Sequence, residues 1–422
     1  MKKYIFLIVL LIISANIFSL TLEEAVNIGL MNSSILKSAK ETLNQAKWDY
    51  YQANTEHLPS AQLNGAYIDY LPNNAQQDME IESAISYGLR VNLPLFVGGK
   101  LWQNSRIKKE SYQIAQDIYK NTRLNLIVDI ENKFFVVLES QKNHEIAEKE
   151  YTNAVNLESI TEARFQKGSV IEAELLRMKS LTGQKKVRMM QTHTNYLTSM
   201  LDLKATLSID EDIELDENYI TTNEDTDSLE SRLNIENWNI DEIERFLQTM
   251  STETENRNLT LKITEKNINI SKRVLTVTTG NFLPTINLSY DKDFSKPIIK
   301  NMPNQDLSES GNLMLSVSIP IFPIANNVTE YLKNKSSLRS SEYGMITTKN
   351  NISLEIRNAT LNWISSIQMY SSAKMSLDYA QRSWEAMNQR YNNGVITNND
   401  MLDADITLSN ANLQFNSSYF NI

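Results

Sequence analysis

Hydrophobic and polar residues alternate along four short segments of this chain. In segment 84–96, Ile85, Leu89 and Val91 share one parity, while polar or small residues hold most of the other. A period of two is typical of a β-strand with one apolar and one polar face. The pattern predicts strands at 58–70, 84–96, 282–293 and 312–322. The polar positions expected to share one face are Ser86, Arg90, Asn92, Asn287, Ser289, Ser316 and Ser318.

Apolar residues switch to a spacing of three and four after the strands. Segment 100–167 contains neither glycine nor proline, and it carries Ile107, Ile114 and Ile118 on one helical face. At 1.5 Å per residue this run predicts a helix of about 100 Å. Such a helix is several times longer than those of an ordinary globular domain, so the pattern does not favour a compact enzyme.

Three motifs occur twice in the same order. The pairs are Leu58-Pro59 with Leu283-Pro284, Leu93-Pro94-Leu95-Phe96 with Ile319-Pro320-Ile321-Phe322, and Arg164-Phe165-Gln166-Lys167-Gly168 with Arg390-Tyr391-Asn392-Asn393-Gly394. Their separations of 225, 226 and 226 residues are nearly constant. The chain is therefore predicted to contain two tandem repeats.

Each repeat is expected to have the same elements in the same order. The first, 20–207, would hold a helix at 22–56, the hairpin 58–96, the long helix 100–167 and a return helix at 171–207. The second, 256–422, would hold a helix at 256–278, the hairpin 282–322, a long helix at 326–393 and a last helix at 397–422. The predicted fold is mainly α, with long coiled helices and four strands.

The segment 1–19 is predicted to be an export signal. Lys2 and Lys3 precede an apolar stretch at 4–13 that is too short to span a bilayer, as in a cleaved signal peptide. No later segment has the roughly 18 consecutive apolar residues of a transmembrane helix, so any insertion into a membrane would have to use strands.

Composition narrows the choice of partners. The chain has no cysteine, which excludes disulfides and cysteine metal sites. A net charge of −10 argues against nucleic acid. Segment 208–258 holds 16 acidic and 3 basic residues, and 208–255 is interpreted as a solvated acidic connector, with an acidic docking surface as the alternative.

Catalytic or cofactor chemistry is not predicted. His57, His144 and His193 lie in different elements without metal-ligand spacing, and no nucleophile and base can be paired. Gly98-Gly99 lacks the other residues of a phosphate-binding loop and is interpreted as allowing a sharp exit from strand to helix. We therefore expect no enzyme activity, cofactor or metal.

The two turns that follow the long helices are the candidate functional site. Arg164 and Arg390 precede Gly168 and Gly394, and carboxylates follow the glycines. The carboxylates are Glu172, Glu174, Asp400, Asp403 and Asp405. Opposite charges there would latch neighbouring helices, and a ring of carboxylates would attract cations. Thr397 and Asp400 also fit an N-cap pair, which would explain Asp400 without a gate.

Four strands are too few to close a β-barrel in a membrane. An open sheet would leave unpaired backbone groups along its edges in lipid, which is energetically unfavourable. Several copies would have to pool their strands, and lateral neighbours would also cover the long helices. A sandwich whose apolar faces form a core is the alternative interpretation of the strands.

The order and spacing of these motifs resemble outer membrane efflux proteins of the TolC-like family. The resemblance starts at Leu20-Thr21-Leu22-Glu23-Glu24-Ala25-Val26, is sharpest at 93–100, and continues through both turns to Asp400, Leu402 and Ala404. It implies a homotrimer in the bacterial outer membrane, with a 12-stranded β-barrel and a periplasmic α-barrel of 12 helices. It further implies docking to a periplasmic adaptor and an inner-membrane pump or ABC transporter.

Two departures from the family pattern stand out. Ile324-Ala325 replaces the glycine pair at the second strand-to-helix junction, and the chain ends 28 residues after Gly394, against 39 residues from Gly168 to Leu207. The last helix is therefore expected to be short. The predicted function is a passive export duct for efflux or type I secretion, and the alternative is a periplasmic coiled-coil adaptor or tether.

Overall fold

The structure is a computed structural model that describes residues 19–69, 81–216, 238–299, 306–322 and 324–421. All of the expected export signal except Ser19 lies outside these ranges, as does part of the acidic connector, 217–237. In the described ranges, none of the helices combines the length and the apolarity needed to cross a membrane.

The helices and strands follow the predicted order. The first half contains β1 (Ser19–Leu20), α1 (Leu22–Asn32), α2 (Ser34–Thr55), β2 (Ser60–Asp69), β3 (Ile81–Val97), α3 (Lys100–Gln166), α4 (Glu172–Leu207) and β4 (Glu214–Leu215). The second half contains α5 (Ile240–Arg257), α6 (Leu259–Thr279), a 3-10 turn (Gly280–Phe282), β5 (Thr285–Ile299), β6 (Ser308–Ser318), α7 (Ile324–Asn392) and α8 (Asn398–Phe420). Helices α3 and α7 have 67 and 69 residues.

The chain forms two compact units. Unit one comprises the described parts of Met1–Lys37, Asn121–Arg257 and Ile352–Ile422, and unit two those of Ser38–Lys120 and Asn258–Asn351. Each unit thus combines segments from both halves of the chain.

Side-chain caps divide two segments differently from the prediction. The segment 22–56 forms two helices, because the Ser33 hydroxyl accepts a hydrogen bond from the Leu36 amide at 3.3 Å and starts α2. Asn258 likewise accepts from the Leu261 amide at 3.1 Å and starts α6. Helix α5 before it lies mostly in the segment that was expected to be a connector. Single polar residues in helical sequence thus set new helix starts.

Glycines shape the junction between β3 and α3. Gly98 and Gly99 have φ of +60° and +74°, a region that disfavours other residues. A Cβ on Gly98 would lie 2.3 Å from the Gly280 carbonyl oxygen, so the backbones approach closely there. At the second junction α7 starts at Ile324 itself, and the chain reaches it without a glycine pair.

Unit two contains an antiparallel sheet in the order β2-β3-β5-β6. Asn92 pairs with Ser289, and Asn287 pairs with Ser316. Directly paired residues point to the same side of an antiparallel sheet. With the strand parity, the register places all seven predicted polar positions on one face.

The strand ends differ from the predicted ones. Strand β6 ends at Ser318, before Pro320, which cannot donate a backbone hydrogen bond. A register shift between Pro94 and Phe96 leaves Leu95 unpaired and matches Phe96 with Ile286. Phe96 therefore joins the face of Leu93, where the simple alternation had placed Leu95.

One buried cluster of unit one lies where α3 meets the ends of α1 and α4. Ile130, Phe134, Leu203 and Leu207 are fully buried. A Cβ on Gly29 would lie 2.3 Å from the Ile130 Cδ1 atom, so the absence of a side chain lets α1 approach α3. In unit two, Lys266 and Arg273 of α6 pair with Asp117 and Glu110 of α3.

Candidate gate at the two interhelical turns

The first turn (residues 164–172) and the second turn (residues 390–398) have the same backbone geometry. Gly168 and Gly394 have φ of +70° and +73°. The Gly168 amide donates to the Phe165 carbonyl at 2.8 Å, and the Gly394 amide donates to the Tyr391 carbonyl at 3.0 Å. In each turn the next residue donates five positions back, at 2.9 Å. This Schellman pattern ends a helix at a left-handed glycine.

A buried group of side chains connects the two turns within one protomer. The Arg164 guanidinium lies 4.6 Å from the centre of the Tyr391 ring, and its Nη1 atom donates to Asn398 Oδ1 at 3.2 Å. The Tyr391 hydroxyl donates to the same oxygen at 2.6 Å. Asn398 Nδ2 then donates to Thr161 Oγ1 at 3.3 Å. These four residues are called the Arg164 cluster below.

Burial makes the Arg164 cluster energetically important. Tyr391 and Thr161 are 2% and 0% exposed, and burial raises the pKa of the Tyr391 hydroxyl above its usual range. A buried polar atom needs a hydrogen-bond partner, because leaving it without one costs more free energy than a typical surface hydrogen bond contributes. The cluster therefore holds the second turn against the end of α3.

A second contact, at the surface, links the helices that follow the two turns. Arg177 on α4 donates through Nη1 to Asn399 Oδ1 on α8 at 2.6 Å. The side chains are exposed, so this bond contributes less than the buried cluster. Together the two contacts join α3 and α4 of the first repeat to α8 of the second.

Among the predicted turn residues, Arg164 reaches the second turn, but its hydrogen-bond and ring partners are the uncharged Asn398 and Tyr391. Arg390, Glu172 and Asp403 are exposed, and Glu174 is half-buried.

Asp400 forms a capping box with Thr397. The Thr397 amide and hydroxyl donate to Asp400 Oδ2 at 2.9 and 2.7 Å, and the Asp400 amide donates back to Thr397 Oγ1 at 3.3 Å. These hydrogen bonds lower the pKa of the Asp400 carboxyl. The capping role of Asp400 is thus present in the structure, and its role in a gate remains a prediction.

Sequence reasoning did not select Thr161, Asn398 or Arg177. Asn398 directly follows the N-cap residue Thr397, and a polar side chain at this position is usually expected to face solvent. Its burial depends on α3, more than two hundred residues earlier in the chain. The only sequence signal was Tyr391, which occupies the position that Phe165 holds in the first repeat.

A second buried polar group lies farther along the same helices. Glu150 accepts from Lys185 at 2.9 Å and from the Ser409 hydroxyl, which ties α3 to α4 and α8. Asp405, next to this group, accepts from Trp384 Nε1 at 3.3 Å, and burial raises the pKa of its carboxyl. A cavity of about 250 Å³ between these helices is lined by Glu150, Trp384, Asp405 and Ser409.

The polar face of the sheet carries a pair of opposite charges. Arg90 Nε donates to Asp291 Oδ1 on the neighbouring strand. The charge of Arg90 is thus paired with a carboxylate on the same face of the sheet.

Solved structures share this fold. The outer membrane channel CmeC of Campylobacter jejuni superposes with a TM-score of 0.76 at 18% identity, over 94% of this chain and 82% of that chain. The outer membrane protein VceC of Vibrio cholerae gives 0.75 at 12% identity, over 94% and 92%. The open state of the Neisseria gonorrhoeae channel MtrE gives 0.74 at 13% identity, over 95% and 86%. The predicted fold class of tandem repeats with long helices and a small sheet is therefore confirmed.

The sequence also matches the outer membrane efflux protein family over residues 26–208 and 251–417. No curated protein gives a significant match. The family match covers most of the chain, so the chain belongs to the outer membrane efflux protein family. It is an outer membrane efflux channel, as predicted, and no enzymatic family is indicated.

Proposed function

We propose that three copies of this chain form a passive duct, in which their sheets make one 12-stranded barrel in the outer membrane. The free edges of the sheet carry this proposal. Within the described residues, β2 and β6 are the outer strands of the sheet, so each has one side that pairs with no described strand of the protomer. In lipid each unpaired backbone group costs several kcal/mol, so β6 of one copy would pair with β2 of the next.

The two faces of the sheet support this placement. The polar face carries the seven polar positions that were predicted to lie together, whereas Leu313, Leu315 and Val317 on β6 point to the other side and are exposed. Exposed leucines on one face and serines and asparagines on the other suit a wall between lipid and water. Ser86, Asn92, Asn287, Ser289, Ser316, Ser318 and the Arg90–Asp291 pair would then line the bore.

The helices of unit one support association of copies. Val187 and Leu201 on α4 are 66% and 64% exposed, and Met190 and Leu197 lie between them at spacings of three, seven and four. An exposed stripe with this period is the seam of a helix that packs on another helix. Neighbouring copies would bury it, with the helical part in the periplasm.

The two turns would receive the periplasmic adaptor that joins the duct to an inner-membrane pump or ABC transporter. Ile171 and Val395 are both 71% exposed, so each turn presents a large apolar side chain to solvent. The exposed charges Glu172 and Arg390 lie on the same turns, and the exposed Asp403 lies on α8 just after the second turn. A mixed surface of this kind suits a partner protein.

The Arg164 cluster would hold the resting state closed by fixing the second turn to the first. Asp400 and Asp403, repeated by three copies, would add negative charge near the constriction and favour cations. Cargo would be small toxic compounds or secreted polypeptides, and the energy for transport would come from the pump.

A planar-bilayer recording of the purified full-length protein tests the duct. We expect a trimeric particle that inserts and gives a small, cation-selective conductance. A monomer that never inserts would refute the proposal. Urea washing of membranes separates the alternative, because a periplasmic adaptor or tether would be extracted, whereas a barrel stays with the outer membrane.

A further inference from the structure

His144 on α3 and His193 on α4 lie side by side in unit one, although the sequence showed no spacing that relates them. Their ring centres are 4.8 Å apart, and the ring planes are inclined by 50°. His144 is half-buried and His193 is exposed, so water reaches the pair. The two residues are separated by the first turn, and antiparallel pairing of the helices brings them together.

The separation of the rings suits one shared metal ion. An imidazole nitrogen binds a transition metal at about 2 Å and lies about 1 Å from its own ring centre, so two rings at adjacent coordination positions of one ion have centres about 4.5 to 5 Å apart. The observed separation lies within this interval. Rings stacked only by packing carry no such constraint.

Thr192 holds one of the two ring nitrogens of His144. Thr192 Oγ1 lies 3.3 Å from His144 Nδ1, within hydrogen-bond distance. The hydroxyl also lies within reach of two backbone carbonyls of its own helix, at 3.0 Å from Met189 and 3.2 Å from Arg188. When the hydroxyl proton goes to one of these carbonyls, Oγ1 can accept from Nδ1–H, and the Nε2 lone pair of neutral His144 is then available to a metal ion. This arrangement, with the second ring nitrogen held by a neighbour, is the usual one for a histidine ligand.

We propose that His144 and His193 bind one divalent transition-metal ion and thereby clip α3 to α4. Imidazole favours zinc, copper and nickel over calcium and magnesium, which prefer oxygen. In the described part of the chain no group of three or more histidine, cysteine or carboxylate side chains could hold a metal. Water would therefore complete the coordination, and we expect micromolar rather than structural affinity. The site does not depend on the chain being a duct.

Isothermal titration of the full-length protein with Ni²⁺ tests the site, using a purification tag without histidine. The chain has only three histidines and no cysteine, so competing ligands are few. We expect one ion per chain, with affinity at least tenfold weaker in both His144→Ala and His193→Ala. His57→Ala is the matched control and should bind like the original protein.

Two further readouts separate a lost ligand from a damaged fold. Electron paramagnetic resonance of bound Cu²⁺ should show two coordinated nitrogens in the original protein and fewer in either variant. Ni²⁺ should raise the thermal unfolding temperature of the original protein and of His57→Ala, but not of the other variants. Absence of binding by the original protein, or binding that survives both His144→Ala and His193→Ala, would overturn the proposal.

Discussion

The first and second turns share one backbone and differ in their side chains. Both end a long helix at a left-handed glycine, with the same pair of hydrogen bonds. The helix after the second turn starts with the Thr397 capping box, whereas α4 starts after Ile171 without a side-chain cap. The glycine sets the path of the chain, and the neighbouring side chains determine how firmly each turn is held.

Replacing each of the two equivalent arginines, Arg164 and Arg390, with alanine should have the most unequal effects on the free energy of unfolding. Arg164→Ala removes a charged hydrogen bond to Asn398 and the contact with the Tyr391 ring, so we expect a loss of about 1.5–3 kcal/mol in unfolding free energy. Arg390→Ala changes an exposed side chain and should stay within about 0.5 kcal/mol. Denaturant unfolding measures both.

The same two variants test the gate. If the Arg164 cluster holds the duct closed, Arg164→Ala should raise single-channel conductance in bilayers, and Arg390→Ala should not. Equal conductance in Arg164→Ala and the original protein would assign the cluster to stability alone. A rise in Arg390→Ala would instead indicate a latch between copies.

Replacing either of the equivalent glycines, Gly168 or Gly394, should destabilise the protein by a similar amount. Gly168→Ala and Gly394→Ala each force a non-glycine residue into the left-handed region, at a cost of about 1–2 kcal/mol. Gly183→Ala is the control, because this glycine lies inside α4 with open space around it and should gain about 0.5–1 kcal/mol. Unequal losses at the two turns would contradict their equivalence. Thermal unfolding, monitored by circular dichroism, measures the change in stability of all three variants.

The helix caps can be swapped between the two turns, by removing the cap at Thr397 and adding one at Ile171. Thr397→Ala should cost about 1 kcal/mol, because Oγ1 no longer accepts from the Asp400 amide. Ile171→Thr places a capping hydroxyl at the uncapped start of α4 and should stabilise the protein by a few tenths of a kcal/mol to about 1 kcal/mol. Unchanged stability in both variants, measured by thermal unfolding, would show that the caps are irrelevant.

Two carboxyls on α8 should respond to pH in opposite directions. Burial raises the pKa of Asp405, so its neutral form favours folding; that contribution is complete below the unfolded pKa and is lost as pH rises through the folded pKa. Hydrogen bonds lower the pKa of Asp400, so its contribution exists above the unfolded pKa and is lost as pH falls through the folded pKa. Asp405→Asn should therefore raise the unfolding temperature near neutral pH, and Asp400→Asn should lower it. Unfolding temperatures between pH 3 and 7 measure both effects.

Much of the architecture was predictable because its signals are local. The alternation around Leu89 and Val91 sets which residues share a sheet face, since successive strand residues point to opposite sides. The repeated glycines marked both turns, since only glycine readily adopts their backbone conformation. The helix ends were predicted less well, because one hydroxyl at Ser33 or one amide at Asn258 was enough to start a new helix.

By itself the sequence determined the two repeats, the long helices, the two-faced strands and membership of the efflux family, because periodicity and motif order depend on neighbouring residues. Only the tertiary structure decided which side chains meet. Arg164 with Asn398, Arg90 with Asp291, and His144 with His193 are joined across 234, 201 and 49 residues. Such contacts depend on how distant helices and strands pack, and no local pattern encodes that packing.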